Sequence, residues 1–512
     1  MATQWQTFPI EFRGGLISNV SPLQQGANNI GSATILQNFE ATKEGGYSKI
    51  KGYEKFSTTT VPGSGPMLAL KVISSGRIVV SRKNGSNVTE YYYGTGNSWT
   101  SMGARPLLGG KSKHVLYNLD GSDKVLFVDG VNYPASYNTS GNTLTAITGS
   151  TDVLGAECVA VFKDTAFYSK GNNLYFTAPV TVDDFSVANG AGSINVANEI
   201  TGLAVFRDQL IIFTSDTIKR LTGNTAADFE ISPITDRMGC INSDTVQEFG
   251  GDIMYLASDG IRLLSATDRI GDFGLDVASD PISKDASTFL GSTPIFCSIL
   301  MREKAQYRIF AYIESEQQAT AKGLIATKFI SQGATGISWS ETKGIKAYVA
   351  DSRYSGTTEA VAFANTDGYV YKMDTGSSFD GLSIEAIYES PYMPISDPQM
   401  RKSFYKMTLY AEPTGNMSLD LNIKYDFNAS TNTGVIQPTT QSINSTGTAV
   451  FLFGESNAVF NTATYGGELD KIYTTNIIGS GKTIALRIED FSTNPTFTLD
   501  TALLEFRQND RQ

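Results

Sequence analysis

FGGDIMYLASDGIRLL, running from Phe249 to Leu264, decides the fold. It reads as a strand, a tight turn at Asp259-Gly260 and a second strand. Two acids, Asp252 and Asp259, make it either a fragment of an active site or one copy of a repeated block. Two other stretches settle the choice: VFKDTAFYSKGNNLYF from Val161 and VFRDQLIIFTSDTIKRL from Val205. Each stretch has aspartate at its fourth position. Asp164, Asp208 and Asp252 are spaced 44 residues apart (208 − 164 and 252 − 208). A fixed period of roughly 40–45 residues built from paired strands is the signature of propeller blades.

Weaker copies extend the pattern. SGRIVVSRKNGSNVTEYYYG begins at Ser75 and GSDKVLFVDGVNYPAS at Gly121. AQYRIFAYIES from Ala305 pairs with KGLIATKFI from Lys322, and TEAVAFANTDGYVYKMD begins at Thr358. With SWTSM, TLTAIT and ISWSET as outer strands, the expected fold is all-β: a six- or seven-bladed β-propeller with an extended N-terminal arm and a C-terminal antiparallel β-sandwich. On this reading the repeated acids are turn chemistry. Asp259-Gly260 and Asp367-Gly368 suit two-residue hairpins that need positive φ. Asp164, Asp208 and Asp252 are expected just before an inner strand, where a short side chain accepts hydrogen bonds from nearby backbone N–H groups. A catalytic acid would not recur once per blade, so Asp259→Asn is expected to be mild.

The two ends differ from the repeat. Residues 1–60, rich in Gly, Asn and Gln, read as an arm or strand addition. Residues 61–380 form the propeller. From 381 to 512, RKSFYKMTLYAEPTGNMSLDLNIKYDF, KTIALRIEDF and TFTLDTALLEFR alternate more cleanly and predict the sandwich. Between Ser265 and Ser292 an insertion breaks the rhythm. Its Asp268, Asp272, Asp276 and Asp280 recur every four residues, but Gly271 and Gly274 oppose a helix there, and the spacing is not that of a calcium loop. It is expected as an acidic, solvated loop that contacts a neighbour or lines a channel. Asp280-Pro281 then opens a short helix through Phe289.

Composition narrows the function. The 512 residues carry a net charge of −11, so the basic footprint of a nucleic-acid binder is missing. The opening residues lack the pattern of a secretory signal, and no apolar run has membrane-spanning length. Three cysteines, Cys158, Cys240 and Cys297, lie scattered without CxxC spacing, and His114 is the single histidine. That set suggests buried thiols rather than a disulfide framework or a zinc site. A Ser/His/Asp arrangement would have to use His114, in GKSKHVLYNLDG. There is no P-loop and no Asp box of the sialidase kind. No enzymatic activity, cofactor or metal is expected.

ITGLAVFRDQLIIFTSDTIKRLTG followed by PITDRMGCINSDTVQEFGGDIMYLASDGIRLLS (200–265) resembles the tail nozzle, or packaged-DNA stabilisation (tail tubular), proteins of short-tailed bacteriophages. LQNFEATKEGGYSKIKGYEKF, with Asn38, Gly45, Gly46, Gly52 and Tyr53, is similar to the entry segment of that family. The resemblance implies a virion tail protein assembled in the host cytoplasm. It implies a homo-hexameric ring below the portal and adaptor, contacts with tail fibres or spikes and with the host surface, and double-stranded DNA retained and then passed without specific binding. An acidic wall would suit such passage, since each cationic contact would add a salt-dependent hold on phosphate. The competing expectation is a tail-associated propeller that binds or degrades glycans.

Overall fold

Several strands of this chain, such as Asp252–Ala257 and Gln306–Tyr312, are buried on both faces, so the sheets that hold them must be packed from both sides. The computed structural model describes residues 5–265, 277–290, 295–331, 334–428, 438–445 and 471–509. Seven small antiparallel sheets succeed one another along the chain: blade 1 (64–104), blade 2 (113–146), blade 3 (158–195), blade 4 (200–235), blade 5 (247–263), blade 6 (295–343) and blade 7 (349–373). In each, consecutive strands pair in order from the innermost outward. The inner strand of blade 7, Val349–Ser355, lies against that of blade 1, Ser64–Ser74, and closes the circle. The protein is therefore a seven-bladed propeller, and the four-stranded edges expected at SWTSM, TLTAIT and ISWSET are the outer strands of blades 1, 2 and 6.

Two blades are completed from elsewhere. Blade 7 takes its fourth strand from Tyr53–Lys55, with Tyr371 opposite Lys55 and Met373 opposite Tyr53. Blade 5 has three strands of its own. Its outer edge is covered by Val277, which bridges Arg262, and by Ser279, whose Oγ accepts from the Ile261 N–H at 3.1 Å. A short 3-10 turn at Asp280–Ile282 leads into the helix Ser283–Leu290, where Asp280-Pro281 predicts one.

Residues 1–60 are threaded through the body. Ile35–Gln37 sits between the outer strand of blade 6 and Ala386–Glu389, so that one nine-stranded sheet runs from the propeller into the C-terminal region. A second sheet packs over that extension. Its long strands, Lys402–Pro413 and Phe497–Gln508, are flanked by Ile472–Gly481 on one side and by Gln6–Glu11 and Tyr47–Lys49 on the other. The two faces enclose a core in which Phe12 meets Tyr388 edge-on at 5.0 Å and Tyr47 lies 5.7 Å from Tyr388. The Tyr47 hydroxyl donates to the Gly31 carbonyl and accepts from the Gly15 N–H, so burial leaves it satisfied. Leu256, Ile261, Leu300 and Tyr307 of blades 5 and 6 belong to the same core, which therefore crosses from propeller to sandwich.

The turn acids need correction in detail. Lys163-Asp164 and Arg207-Asp208 are the central residues of hairpins joining first and second strands, and all four have positive φ. In blade 5 the same two positions are Gly250-Gly251, also at positive φ, and Asp252 is already in the next strand. The equal spacing therefore misaligns Asp252 by one residue. The strand after each turn is the second of its blade, not the innermost. Ser258-Asp259, not Asp259-Gly260, is the two-residue link between Ala257 and Gly260; Gly260 opens the following strand at φ 143°. Of Asp367-Gly368, only Gly368 has positive φ, at 92°.

Lys49 and Asp490 join the two sheets as a pair 2.9 Å apart with both side chains wholly buried. Removing one partner strands a charge, so Lys49→Met should cost about 3–5 kcal/mol in denaturant unfolding, and Lys49→Met with Asp490→Leu should recover most of it. A Cβ at Gly260 would stand 2.7 Å from Ser279 Oγ and 2.8 Å from Val277 Cγ1. With the backbone strain included, Gly260→Val should lower stability by roughly 1–3 kcal/mol in the same assay.

Candidate functional site

The inner strands converge on an axis, and side chains from them and from the segments that adjoin them meet there. They enclose a cavity of about 380 Å³ lined by Lys71 (blade 1), Lys111, Lys113 and His114 (entering blade 2), Asp244 (entering blade 5), Arg302 (in the turn after the first strand of blade 6) and Asp351 (blade 7). Lys111 and Lys113 come from one side of the ring and Asp244 from the other. Lys111 reaches Asp244 at 2.8 Å, and Lys113 pairs with the other oxygen of the same carboxylate. Lys111 also donates to the Phe296 carbonyl at 3.1 Å and lies 5.2 Å from the centre of the Tyr348 ring. These contacts tie blade 2 to blades 5, 6 and 7 across the middle. Asp351 closes the seam between blades 7 and 1, accepting from Lys71 Nζ at 2.9 Å and from the Val72 N–H at 2.8 Å. His114 Nε2 stands 3.5 Å from it.

Electrostatics fix these states. Burial opposes ionisation of Asp244, but Lys111 and Lys113 outweigh it and hold its pKa down at about 2. Asp351 is likewise opposed by burial and held at about 2 by Lys71 and His114. Burial and the neighbouring Lys71 lower the His114 pKa despite Asp351, so the imidazole is neutral near pH 7. Cys158 and Cys297 also face the cavity, and burial pushes both thiols up to about 11. A thiol held that high is a poor nucleophile at neutral pH. The His114–Asp351 pair resembles two members of a triad, but the adjoining groups are ammonium ions and protonated thiols. The arrangement favours a locked, cationic cavity over acid–base chemistry.

The acids singled out from the sequence lie elsewhere. Asp164 and Asp208 are exposed on the turns; Asp208 accepts from Lys163 of the preceding blade at 3.1 Å. One repeat later, Arg207 donates to the Gly251 carbonyl at 2.7 Å, and Lys328 of blade 6 donates to Gly250 at 2.6 Å. The turns thus form a chain of blade-to-blade contacts. The Asp252 carboxylate accepts from the Ile253 and Ser265 N–H groups and from the Ser265 hydroxyl. Asp259 accepts from Nε of Arg262 at 2.9 Å, a guanidinium with only 2% of its side chain exposed. Asp259→Asn would therefore remove the charge from a pair whose guanidinium is buried and whose carboxylate is 38% exposed, a cost that the turn alone does not carry. Asp367 binds the Tyr369 N–H at 2.9 Å and the Tyr371 hydroxyl at 2.6 Å. Asp280 is exposed beside Asn19, whereas Asp268, Asp272 and Asp276 lie outside the described residues. Among the described residues, no cluster of three or more His, Cys, Asp or Glu could hold a metal ion.

The axial residues were missed in the sequence, apart from His114. Lys111, Lys113 and His114 stand together in GKSKHVLYNLDG, but only the ring brings them to Asp244 and Asp351, far along the chain.

No protein-family model and no curated protein sequence matches the chain. Among solved structures it is similar to Raptor from Chaetomium thermophilum, at 8% identity and TM-score 0.40 over 63% of this chain and 29% of that one. It is also similar to two extracellular domains from B. thetaiotaomicron, one assigned to a hybrid two component system and one to a one component system. These show 9% and 11% identity and TM-scores of 0.37 and 0.38, covering 67% and 70% of this chain. The chain spans less than half the length of each of the three, reaching 45% and 44% of the two extracellular domains.

Asp244 and Asp351 make the lock acid-sensitive. Both have folded pKa values below the ordinary 3.8, so their contribution is complete above about pH 4 and is lost as pH falls through about 2. Each should contribute roughly 2 kcal/mol, and Asp244→Asn should flatten the acid limb of a stability–pH curve measured by urea unfolding.

Proposed function

We propose that this protein is a structural component of a phage tail, forming a ring-shaped nozzle or hub that retains the packaged genome and conducts it outward. One observation carries the reading: propeller and sandwich share a continuous sheet and a continuous core, while the propeller axis is bolted by ion pairs. A body welded in this way suits a stiff wall. The bolted axis offers no passage, so a conduit for double-stranded DNA would lie between copies, with each propeller as one segment of the wall. Six copies, each at −11, would surround the duplex with like charge and keep it from sticking.

Surfaces for neighbours are available. Ile472–Gly481 is the terminal strand of its sheet among the described residues, with Ile472 58% and Ile478 78% exposed. The Trp5 and Tyr405 rings lie 5.2 Å apart, tilted by 45°, and are about half exposed. Edges and aromatic pairs of this kind support association with further copies, with a portal–adaptor ring and with fibres or spikes. Host-surface contact belongs to the same proposal.

Purified protein, alone or mixed with portal and adaptor, should give closed rings of six in negative-stain micrographs, and Ile478→Asp should reduce ring formation at least severalfold without changing the circular dichroism spectrum. A stable monomer that cleaves polysaccharide would overturn the proposal in favour of a glycan-degrading propeller.

A further inference from the structure

The axial cavity has the opposite charge to the body around it. Lys71, Lys111, Lys113 and Arg302 face it against two carboxylates, Asp244 and Asp351, in a chain whose net charge is −11. Glu359 stands behind the rim, 3.6 Å from Arg302. Asp244 divides its charge between two ammonium groups, so neither lysine is fully matched. The Lys111 side chain is only 14% exposed and that of Lys113 25%. Unmatched charge at that depth is costly unless a counter-ion or water answers it. His114 Nδ1 is buried in the same wall without a hydrogen-bond partner, a further polar group without a protein contact.

The size of the cavity restricts what can answer. About 380 Å³ accommodates one tetrahedral oxyanion with several waters, each of roughly 30 Å³. It does not accommodate a nucleic-acid strand. Lysine serves as a point-charge ligand for phosphate and arginine as a forked one, and the cavity wall presents both.

We propose that the propeller axis is a binding site for a small oxyanion, with inorganic phosphate or sulfate as its ligand class, held by Lys71, Lys113 and Arg302 on the side of the lysines not taken by Asp244 and Asp351. The anion completes the charge balance of the lock and stabilises the closed ring of blades. The site belongs to a single chain, so the proposal stands or falls independently of assembly.

The test is phosphorus NMR of inorganic phosphate titrated with the full chain at fixed ionic strength, the balance made up with chloride. Saturable line broadening at millimolar phosphate or below is expected. Lys113→Met and Arg302→Ala should each weaken it at least fivefold, while Lys471→Met on the sandwich surface should leave it unchanged. If Lys113→Met does not fold, Arg302→Ala at the rim decides. A short oligothymidylate should fail to displace the phosphate, which separates a site for free oxyanion from one for the phosphodiesters of nucleic acid. The absence of saturable broadening in the unaltered protein, equal broadening in the variants, or displacement by the oligonucleotide would each overturn the proposal.

Discussion

One carboxylate gripped by two ammonium groups holds the ring in register. Asp244 enters from blade 5 and meets Lys111 and Lys113 from blade 2, with the propeller axis between them. Besides the polar contacts at their turns, neighbouring blades touch through apolar side chains, which favour contact but are indifferent to small rotations. Ion pairs are not indifferent, because a buried carboxylate without its partners loses several kcal/mol. Opposite sides of the circle are thus fixed to one another, and the seam between the last and first blades is fixed the same way by Asp351 and Lys71.

The second constraint is continuity of sheet. The outer strand of blade 6 would normally be an exposed edge, with unpaired backbone groups inviting aggregation. Here Ile35–Gln37 pairs beside it and the sheet continues into the sandwich. Arg308, wholly buried in blade 6, reaches Glu40 at 2.7 Å, and Lys304 links Glu40 to Asp374 of blade 7. The first sixty residues therefore secure three parts at once: a blade, the seam beside it and both sheets of the sandwich.

How much of this was legible follows from what each pattern records. Paired strands at a fixed spacing write themselves into a sequence as alternation plus turns, so the hairpins of all seven blades are visible. The helix after Asp280-Pro281 is visible through the proline of its lead-in turn, although Ser279 makes no side-chain cap. Turn registers are less visible: Gly250-Gly251 replaces Lys163-Asp164 and Arg207-Asp208, since all three pairs solve the same positive-φ problem with different residues. That substitution is why Asp252 falls one place out of line. The axial cluster is invisible for another reason. Its members lie on five blades, and no local pattern tells Lys113 or Asp244 from any other solvated charge. The threading of residues 35–37 into a sheet with 386–389 is equally non-local.

Tyr53–Lys55 precedes every blade in the chain but finds its partner at Tyr371–Met373, in the third strand of the last of them. During synthesis it must stay unpaired until 316 further residues (371 − 55) have followed it. The final clasp is thus a contact of very large sequence separation, which slows maturation, since the entropy of a long loop is lost before the pairing can compensate for it. Meanwhile the nascent chain carries an open ring whose sticky rims are exposed to other chains. A protein built this way gains a circle that cannot unravel from either terminus alone, in exchange for a slow and vulnerable birth.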